Sequence, residues 1–309
     1  MTVLWVNNNI PGYMTDIKNI GTEQRNEKTK DLDLLSTMDI LKIMNEEDLN
    51  VVAGVKKALP QIEKVVEAMI VALKNGGRVI YVGAGTSGRT GIIDAVECGP
   101  TFSCTYEFLG LIAGGYGAIV KAVEGAEDKK ESCVEDLKNN NFTSKDLLVG
   151  VAASGRTPYV IGGIEYAKEI GAKTACVCCN LNTKIGAMVD YPIEVSAGPE
   201  ILTGSTRLKS GTCQKVIINM LSTASMVGLG KVYKNLMVDV MATNEKFVER
   251  CRQIVMAATD CDWEKADEAL KISNNHCKEA IVMILLNVDL DTAKEKLASA
   301  DGFVRKAVE

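Results

Sequence analysis

The hydrophobic and polar positions along the chain follow two periods, one helical and one typical of buried strands. Residues 1–30 are polar and show neither period. From about Ser36, apolar residues recur at helical spacing in STMDILKIMNEEDL, with Ser36 or Thr37 as the cap. A longer helix is predicted over 48–74, and we expect Pro60 to mark a break or a new start in it. The residues NGG that follow end the helical pattern.

From residue 78 onwards, short apolar runs alternate with helical patterns. The runs that predict strands are RVIYVG (78–83), YEFLGLIA (106–113), DLLVGVAA (146–153), KTACVCC (173–179) and YPIEV (191–195). The segments that predict helices are SGRTGIIDAVEC, AIVKAVEGAEDKKESCVEDLKN, TPYVIGGIEYAKEI with Pro158 at its first position, and a stretch over about 206–229. This alternation indicates right-handed β-α-β units and therefore an α/β fold with a parallel sheet.

The last part of the chain is predicted to be helical throughout. After Asn244 three short segments, WEKADEALKIS, KEAIVMILL and LDTAKEKLAS, carry helical periodicity and Asp caps. We therefore expect three units: an N-terminal segment and helix over 1–47, a large α/β domain over 48–250, and a small helical domain over 251–309.

A glycine pattern stands between the first strand and its helix. Gly83-x-Gly85-x-x-Gly88 has the spelling of the dinucleotide fingerprint. That fingerprint requires an acidic residue about 20 positions further on, at the end of the second strand. Glu107 falls near that distance but lies inside the apolar segment YEFLGLIA. A nicotinamide site is therefore disfavoured.

The same loop chemistry occurs twice. GAGTSGRTG (83–91) and VAASGRTPY (151–159) both place S-G-R-T between a strand and a helix. Free N–H groups at a helix N-terminus, with nearby hydroxyls and flexible glycine, can cradle an anion. The hydroxyls here belong to Thr86, Ser87, Ser154 and Thr157. A single serine before a helix is more often only a cap, so the repetition is what favours an anion site.

Three glutamates are candidates for acid–base chemistry. Glu97 lies in AVECGP, where Gly99-Pro100 is expected to end the helix and aim Glu97 at the cleft. Glu124 and Glu127 lie three residues apart in AVEGAED. Taken alone, each of them could equally belong to a solvated face.

Composition excludes several classes of function. The net charge is −5, and no run of Lys and Arg reaches five residues, so we expect no nucleic-acid partner. The start of the chain lacks the features of a signal peptide, and no apolar run approaches a membrane span of about 18 residues. The ten cysteines fit no common metal-site or disulfide pattern, and Cys176, Cys178 and Cys179 lie within a predicted buried strand, so we expect a reduced, cytoplasmic protein. His276 is the only histidine and lies far from both loops, so other side chains must carry any acid–base chemistry.

With the loops and glutamates in place, the chain resembles the N-acetylmuramic acid 6-phosphate etherases, which have a single sugar-isomerase (SIS) domain. The resemblance runs from about residue 22 to the C-terminus and leaves the first 18 or so residues without an assigned role. It rests on TEQRN, DLLSTMDILKIMNEED, VGAGTSGRTGIIDAVEC, LIAGG, AVEGAED, GVAASGRTPYVIGG, GPEILTGSTRLKSGTCQK, NMLSTASM and NLMVDVMATNEK. Glucokinase regulatory protein shares the domain type but has two such domains, for which this chain has no room.

The resemblance implies a fold and a reaction. The fold would be an SIS-type parallel sheet flanked by helices, a flavodoxin-like three-layer sandwich, with a small C-terminal helical bundle. The reaction would cleave the D-lactyl ether of N-acetylmuramic acid 6-phosphate to N-acetylglucosamine 6-phosphate and D-lactate, in the recycling of cell-wall amino sugars. It also implies no cofactor and a homodimer in which each site borrows from its neighbour.

The resemblance further implies roles for individual residues. The proton donor of the family falls on Glu97 and its second active-site glutamate on Glu127. The substrate-binding positions fall on Thr86, Ser87, Gly88, Glu124, Ser154, Gly155 and Thr157. One departure is Cys98-Gly99-Pro100, where the family usually has two prolines after the Glu-Cys pair.

The two glutamates suit an elimination followed by hydration. In the ring-opened aldehyde, one carboxylate removes the acidified proton at C2 and the other protonates the lactate oxygen that leaves C3. We assign the role of base to Glu127 and the role of acid to Glu97. Burial of Glu97 beneath the sugar would favour its protonated form. Lys209 and Ser210 could also reach a ligand, although a basic pair at a helix start is as often structural. A phosphosugar isomerase and a non-catalytic phosphosugar sensor stay open as alternatives.

Overall fold

The computed structural model describes residues 20–240 and 245–309, and its centre is a five-stranded parallel sheet. The strands are β1 (Val79–Gly83), β2 (Phe108–Ile112), β3 (Leu147–Ala152), β4 (Lys173–Cys178) and β5 (Tyr191–Glu194). Their order across the sheet is β2-β1-β3-β4-β5, and every neighbouring pair is parallel. The strands read as continuous apolar runs because helices cover both faces of the sheet. The predicted α/β fold is confirmed.

Six helices surround this sheet: α1 (Thr37–Lys74), α2 (Gly85–Phe102), α3 (Gly117–Val120), α4 (Lys130–Asn139), α5 (Pro158–Glu169) and α6 (Lys209–Gly228). One core cluster packs α1, the C-terminal half of α2 and α6 against one face, where Val79 and Tyr81 of β1 point. A second packs α4 and α5 against the other face, where Ile80 and Val82 point. The alternation of side chains along β1 therefore yields the expected three-layer sandwich.

Two predicted helix breaks do not occur. Pro60 lies inside α1, which runs as one helix across residue 47, and buried Ala58 and Ile62 hold the helix to the core on either side. Pro100 likewise lies inside α2, which continues to the buried Phe102. Each proline removes one helical hydrogen bond. Because core packing supports the turn beyond it, the helix continues.

The stretch 118–139, predicted as mostly helical, is regularly helical only from Lys130 onwards. It contains only α3 and a 3-10 turn at Ala126–Asp128 before α4 begins. Gly125 has a positive φ of +71°, which interrupts the predicted helix, and Gly114, in the turn before α3, has a φ of +90°. We call residues 113–129 the glutamate loop because it carries Glu124 and Glu127.

The C-terminal part is built on a core of its own. A hairpin of β6 (Val232–Tyr233) and β7 (Leu236–Met237) precedes α7 (Glu245–Thr259), α8 (Trp263–Ile272), α9 (Cys277–Leu286), α10 (Leu290–Ser299) and α11 (Val304–Val308). Buried residues from Tyr233 to Ala307 form this core. Asp262 and Asp289 cap α8 and α10, whereas α9 follows His276, whose side chain makes no capping hydrogen bond. Within the described ranges no helix is both long and apolar enough to span a bilayer.

Candidate functional site

The two S-G-R-T segments lie side by side at one edge of the sheet, the first in the opening turns of α2 and the second in the loop before α5. They follow β1 and β3, which are neighbours, with Gly83 level with Val151. Strand order also reverses here, because β2 lies on one side of β1 while β4 and β5 lie beyond β3. Open α/β sheets bind ligands at such a switch point, outside the carboxyl ends of the strands. We call residues 84–88 and 153–157 the loop pair.

The hydroxyl groups of the loop pair have no partner within the described chain. They belong to Thr86, Ser87, Ser154 and Thr157, and none of the four side chains makes a hydrogen bond there. No side chain caps the N-terminus of α2 or that of α5. By contrast, Ser36, Asp262 and Asp289 cap their helices in the ordinary way. The serines and threonines of the loop pair are therefore not caps, and they leave two helix N-termini open to an anion.

Glycines allow each loop to pack closely on the structure beneath it. Gly155 has φ +70°, and a Cβ there would lie 2.3 Å from Cβ of Thr183. A Cβ at Gly88 would lie 2.7 Å from the carbonyl oxygen of Gly83, where the strand meets its helix. Any side chain at either position would push the loop away from its support.

The N-terminus of α6 adjoins the loop pair, but the carboxylate of Glu200 already occupies it. A Cβ at Gly211 in α6 would lie 3.1 Å from Cγ2 of Thr86. The fully buried carboxylate of Glu200 accepts hydrogen bonds from the backbone N–H groups of Lys209 and Ser210 and from the Ser210 hydroxyl, each at 2.9 Å. Lys209, also buried, donates from Nζ to Glu47 at 2.8 Å. Lys209 and Ser210 thus serve the structure rather than face a ligand.

The carboxylate of Glu47 joins this helix start to the N-terminal segment. It accepts hydrogen bonds from Nζ of Lys209, Nζ of Lys28 and Nδ2 of Asn26. Burial raises the pKa of Glu47, but these three donors outweigh it and hold that pKa at about 2. The segment read from sequence as irregular is thus anchored from residue 20 onwards. Its Thr22 also bonds to Asn180, which in turn donates to the carbonyl of Ala153, next to the second loop.

A second buried carboxylate, missed in the sequence, joins α2 to α6. Asp94 accepts hydrogen bonds from Asn219 at 2.7 Å, Ser222 at 2.9 Å and the Tyr81 hydroxyl at 3.2 Å. Burial raises the pKa of Asp94 despite these donors. The available signal was its position, because the buried residues Gly91, Asp94 and Cys98 fall on one face of the helix at steps of three and four residues.

The glutamates are distributed unevenly around this site. The glutamate loop follows β2, which neighbours β1, so Glu124 and Glu127 lie at the same edge of the sheet as the loop pair. Glu97 is elsewhere. It lies ten residues after Ser87 on α2, about 15 Å further along the helix axis and away from that edge. Because α2 continues past Pro100, no break turns Glu97 back towards the cleft.

Glu97 occupies an exposed, partly apolar surface. Its neighbours Ile93 and Val96 are 59% and 65% exposed. Further exposed apolar residues lie on the helices of the same sheet face, among them Val52 and Leu59 of α1 and Met220 of α6. Exposed apolar side chains on several helices of one face favour a protein–protein contact there.

No group of three or more His, Cys, Asp or Glu side chains that could hold a metal occurs in the described ranges. All ten cysteines are unpaired, and eight of them are buried.

Comparison with known proteins identifies relatives over nearly the whole chain. Two of these relatives are named N-acetylmuramic acid 6-phosphate etherase. The protein from Geobacillus sp. (strain WCH70) is 55% identical, and the match covers 95% of this chain and 100% of the relative. The protein from Listeria monocytogenes serotype 4b (strain CLIP80459) is 56% identical, and the match covers 95% of this chain and 99% of the relative. The family model of the glucokinase regulatory protein N-terminal SIS domain matches residues 61–168, and that of the SIS domain matches residues 126–224.

Solved structures with low sequence identity also match about two thirds of the chain. A putative phosphosugar isomerase involved in capsule formation from Bacteroides fragilis is 18% identical, with a TM-score of 0.49, covering 65% of this chain and 95% of its own. Phosphoheptose isomerase from Neisseria gonorrhoeae is 16% identical and also has a TM-score of 0.49. The match covers 62% of this chain and 98% of the isomerase.

Proposed function

The chain belongs to the N-acetylmuramic acid 6-phosphate etherase family, and from this premise we propose that it is a carbon–oxygen lyase. It cleaves the D-lactyl ether of N-acetylmuramic acid 6-phosphate to N-acetylglucosamine 6-phosphate and D-lactate. The reaction supplies an amino sugar phosphate from cell-wall material. With its unpaired cysteines, the protein suits a reducing compartment, the cytoplasm.

The observation that carries this proposal is the position of the loop pair. Two helix N-termini without side-chain caps, and four hydroxyls without partners in the described chain, converge at the switch point of the sheet. A phosphate monoester accepts hydrogen bonds on three oxygens and interacts favourably with both helix dipoles. Phosphate binding there can position the sugar while the chemistry occurs at C2 and C3.

The glutamate loop supplies the base. With the phosphate at the loop pair, Glu127 on the neighbouring loop removes the proton at C2 of the ring-opened sugar. The carbonyl at C1 acidifies that proton, so a carboxylate is a sufficient base. Glu124, two residues from the 3-10 turn that carries Glu127, binds the sugar from the same loop.

Glu97 acts as the acid, and it does so across a dimer interface. Its position about 15 Å along α2 from Ser87 separates it from the phosphate site of its own chain. A second copy of the chain that covers the apolar surface around Ile93 and Val96 would bury Glu97, which favours the protonated carboxyl that an acid requires. In a two-fold dimer each subunit then donates Glu97 to the cleft of its partner.

The activity is tested by incubating the protein with N-acetylmuramic acid 6-phosphate and measuring free D-lactate. Release of D-lactate together with N-acetylglucosamine 6-phosphate supports the etherase. A phosphosugar isomerase or a non-catalytic sensor would bind the sugar phosphate and release no lactate, and that result would reject the proposal.

Shared sites are tested by mixing two inactive variants. Glu97→Gln and Glu127→Gln are purified as a heterodimer with a different tag on each chain. If Glu97 acts in the partner's cleft, one of the two sites has both native glutamates, and about half of the wild-type activity returns. If both glutamates act within one chain, each site has one defect and the heterodimer stays inactive.

A further inference from the structure

The two S-G-R-T segments match in sequence, but their arginines have different surroundings. The guanidinium of Arg89 donates from Nε to the carbonyl oxygen of Ile119 at 2.8 Å and from Nη2 to that of Ala118 at 2.7 Å. The guanidinium of Arg156 makes no hydrogen bond or ion pair within the described ranges. Arg89 is therefore bound to the glutamate loop, although the sequence places it beside the anion site.

The carbonyl groups of Ala118 and Ile119 need a hydrogen-bond donor from outside their helix. They lie at the end of α3, a helix of four residues that gives way to extended backbone at Lys121. The last carbonyls of a helix lack partners within the helix. The planar fork of a guanidinium can satisfy two neighbouring acceptors at once, which a lysine ammonium does less well. Arg89 thus ties the first turns of α2 to the glutamate loop.

This contact reaches Glu127 through the packing of the loop on itself. A Cβ at Gly114 would lie 3.3 Å from Cβ of Ala118 and 3.3 Å from Cβ of Ala126. Ala118 and Ala126 therefore lie against the same glycine. Restraining Ala118 restrains Ala126, and Glu127 is the next residue.

The other end of the loop is held by α5. Ala126 packs on the core cluster of α4 and α5. A Cβ at Gly162 in α5 would lie 2.3 Å from the carbonyl oxygen of Lys130, so the backbone passes in direct contact with that helix. The glutamate loop is thus held between α2 and α5, the two helices that start at the loop pair.

We propose that Arg89 is a positioning residue that sets the place of Glu127 relative to the bound phosphate. The inference rests on the proposed function. Ser87 and Arg89 are two residues apart on α2, so one rigid helix sets both the phosphate site and the support of the base. A displacement of about 1 Å at a reacting group can cost about 10²-fold in rate.

The test separates positioning from binding. Arg89→Met should lower kcat for lactate release by about 10- to 100-fold, while the Kd for N-acetylglucosamine 6-phosphate changes by less than about threefold. Deuterium incorporation at C2 in heavy water should fall in the same ratio as kcat, because both need Glu127.

Three comparison variants accompany this test. Arg89→Lys, with one ammonium for two carbonyls, should have a kcat between those of the wild type and Arg89→Met. Millimolar guanidinium should restore part of the activity of Arg89→Ala. Arg305→Met, on an exposed C-terminal side chain, is the matched control.

Amide hydrogen exchange supplies a readout that needs no turnover. Arg89→Met should accelerate exchange in the peptide covering 113–129 and leave that of β3 unchanged. Unchanged exchange in 113–129 would overturn the inference, and so would an unchanged kcat or an equal loss of phosphosugar binding and turnover. If the wild-type protein released no lactate, the proposed function would fail, whereas the exchange result would still decide whether Arg89 holds the loop.

Discussion

Replacing Glu47 by glutamine should destabilise the protein substantially, because Glu47 neutralises a buried lysine. Lys209 is 1% exposed and Glu47 4%, and their charged atoms are 2.8 Å apart. The net lowering of the pKa of Glu47, from its ordinary 4.5 to about 2, corresponds to about 3 kcal/mol of stability at neutral pH. Glu47→Gln removes this contribution and leaves Lys209 without a counter-ion, for which a cost of about 3–5 kcal/mol is typical. Urea unfolding at neutral pH measures the change.

The pH dependence has a definite sign. Because the pKa of Glu47 is lowered in the folded protein, its contribution is complete above about pH 4.5 and is lost as the pH falls through about 2. The stability difference between wild type and Glu47→Gln should therefore shrink over that window.

Two further variants sharpen the test. Lys28→Gln removes the other cation on Glu47, but the Lys28 side chain is 65% exposed, so its loss should matter far less. The double variant Glu47→Met/Lys209→Met replaces the ion pair with apolar groups and should be more stable than Glu47→Gln. A cost below about 1 kcal/mol for Glu47→Gln, or one equal to that of Lys28→Gln, would refute the reasoning.

Three further predictions concern the reaction. Ser87→Ala and Ser154→Ala should each weaken phosphosugar binding by about 1–3 kcal/mol, the cost of a lost charge-assisted hydrogen bond. Calorimetry with N-acetylglucosamine 6-phosphate measures this, and unchanged binding in both variants would exclude a phosphate at the loop pair. Glu97→Gln should lower lactate release by about 10² or more while phosphosugar binding survives. Near-normal release would place the acid elsewhere. In ¹⁸O-water, elimination and hydration should put heavy oxygen at C3 of the sugar; heavy oxygen in the lactate hydroxyl with none at C3 would reject that route.

Much of the fold was readable from the sequence because its signals are local. Apolar runs of strand length, helical periodicity and turn residues depend on neighbours within a few positions, and they placed all five strands of the parallel sheet. Pro158 at the start of α5, and Asp262 and Asp289 as caps, follow from the chemistry of helix ends. The breaks predicted at Pro60 and Pro100 were wrong because packing beyond each proline outweighs one lost hydrogen bond.

The candidate site was only partly readable. The repeated S-G-R-T segment indicated two loops of one chemistry at the ends of strands. The resemblance to the etherase family supplied the roles of Glu97 and Glu127. No sequence pattern indicated that Arg89 holds the glutamate loop, because its acceptors are backbone carbonyls, which every residue has.

By itself, the sequence determined which segments are strands and helices and which loops carry hydroxyls and glycines. Only the tertiary structure decided that β1 and β3 are neighbours, and that the direction of α2 carries Glu97 away from the loop pair. The physical reason is that strand order and helix direction depend on contacts between residues far apart in the chain, such as Asp94 with Ser222 and Glu47 with Lys209. Local periodicity records which helix faces are buried, but it does not record what those faces meet there.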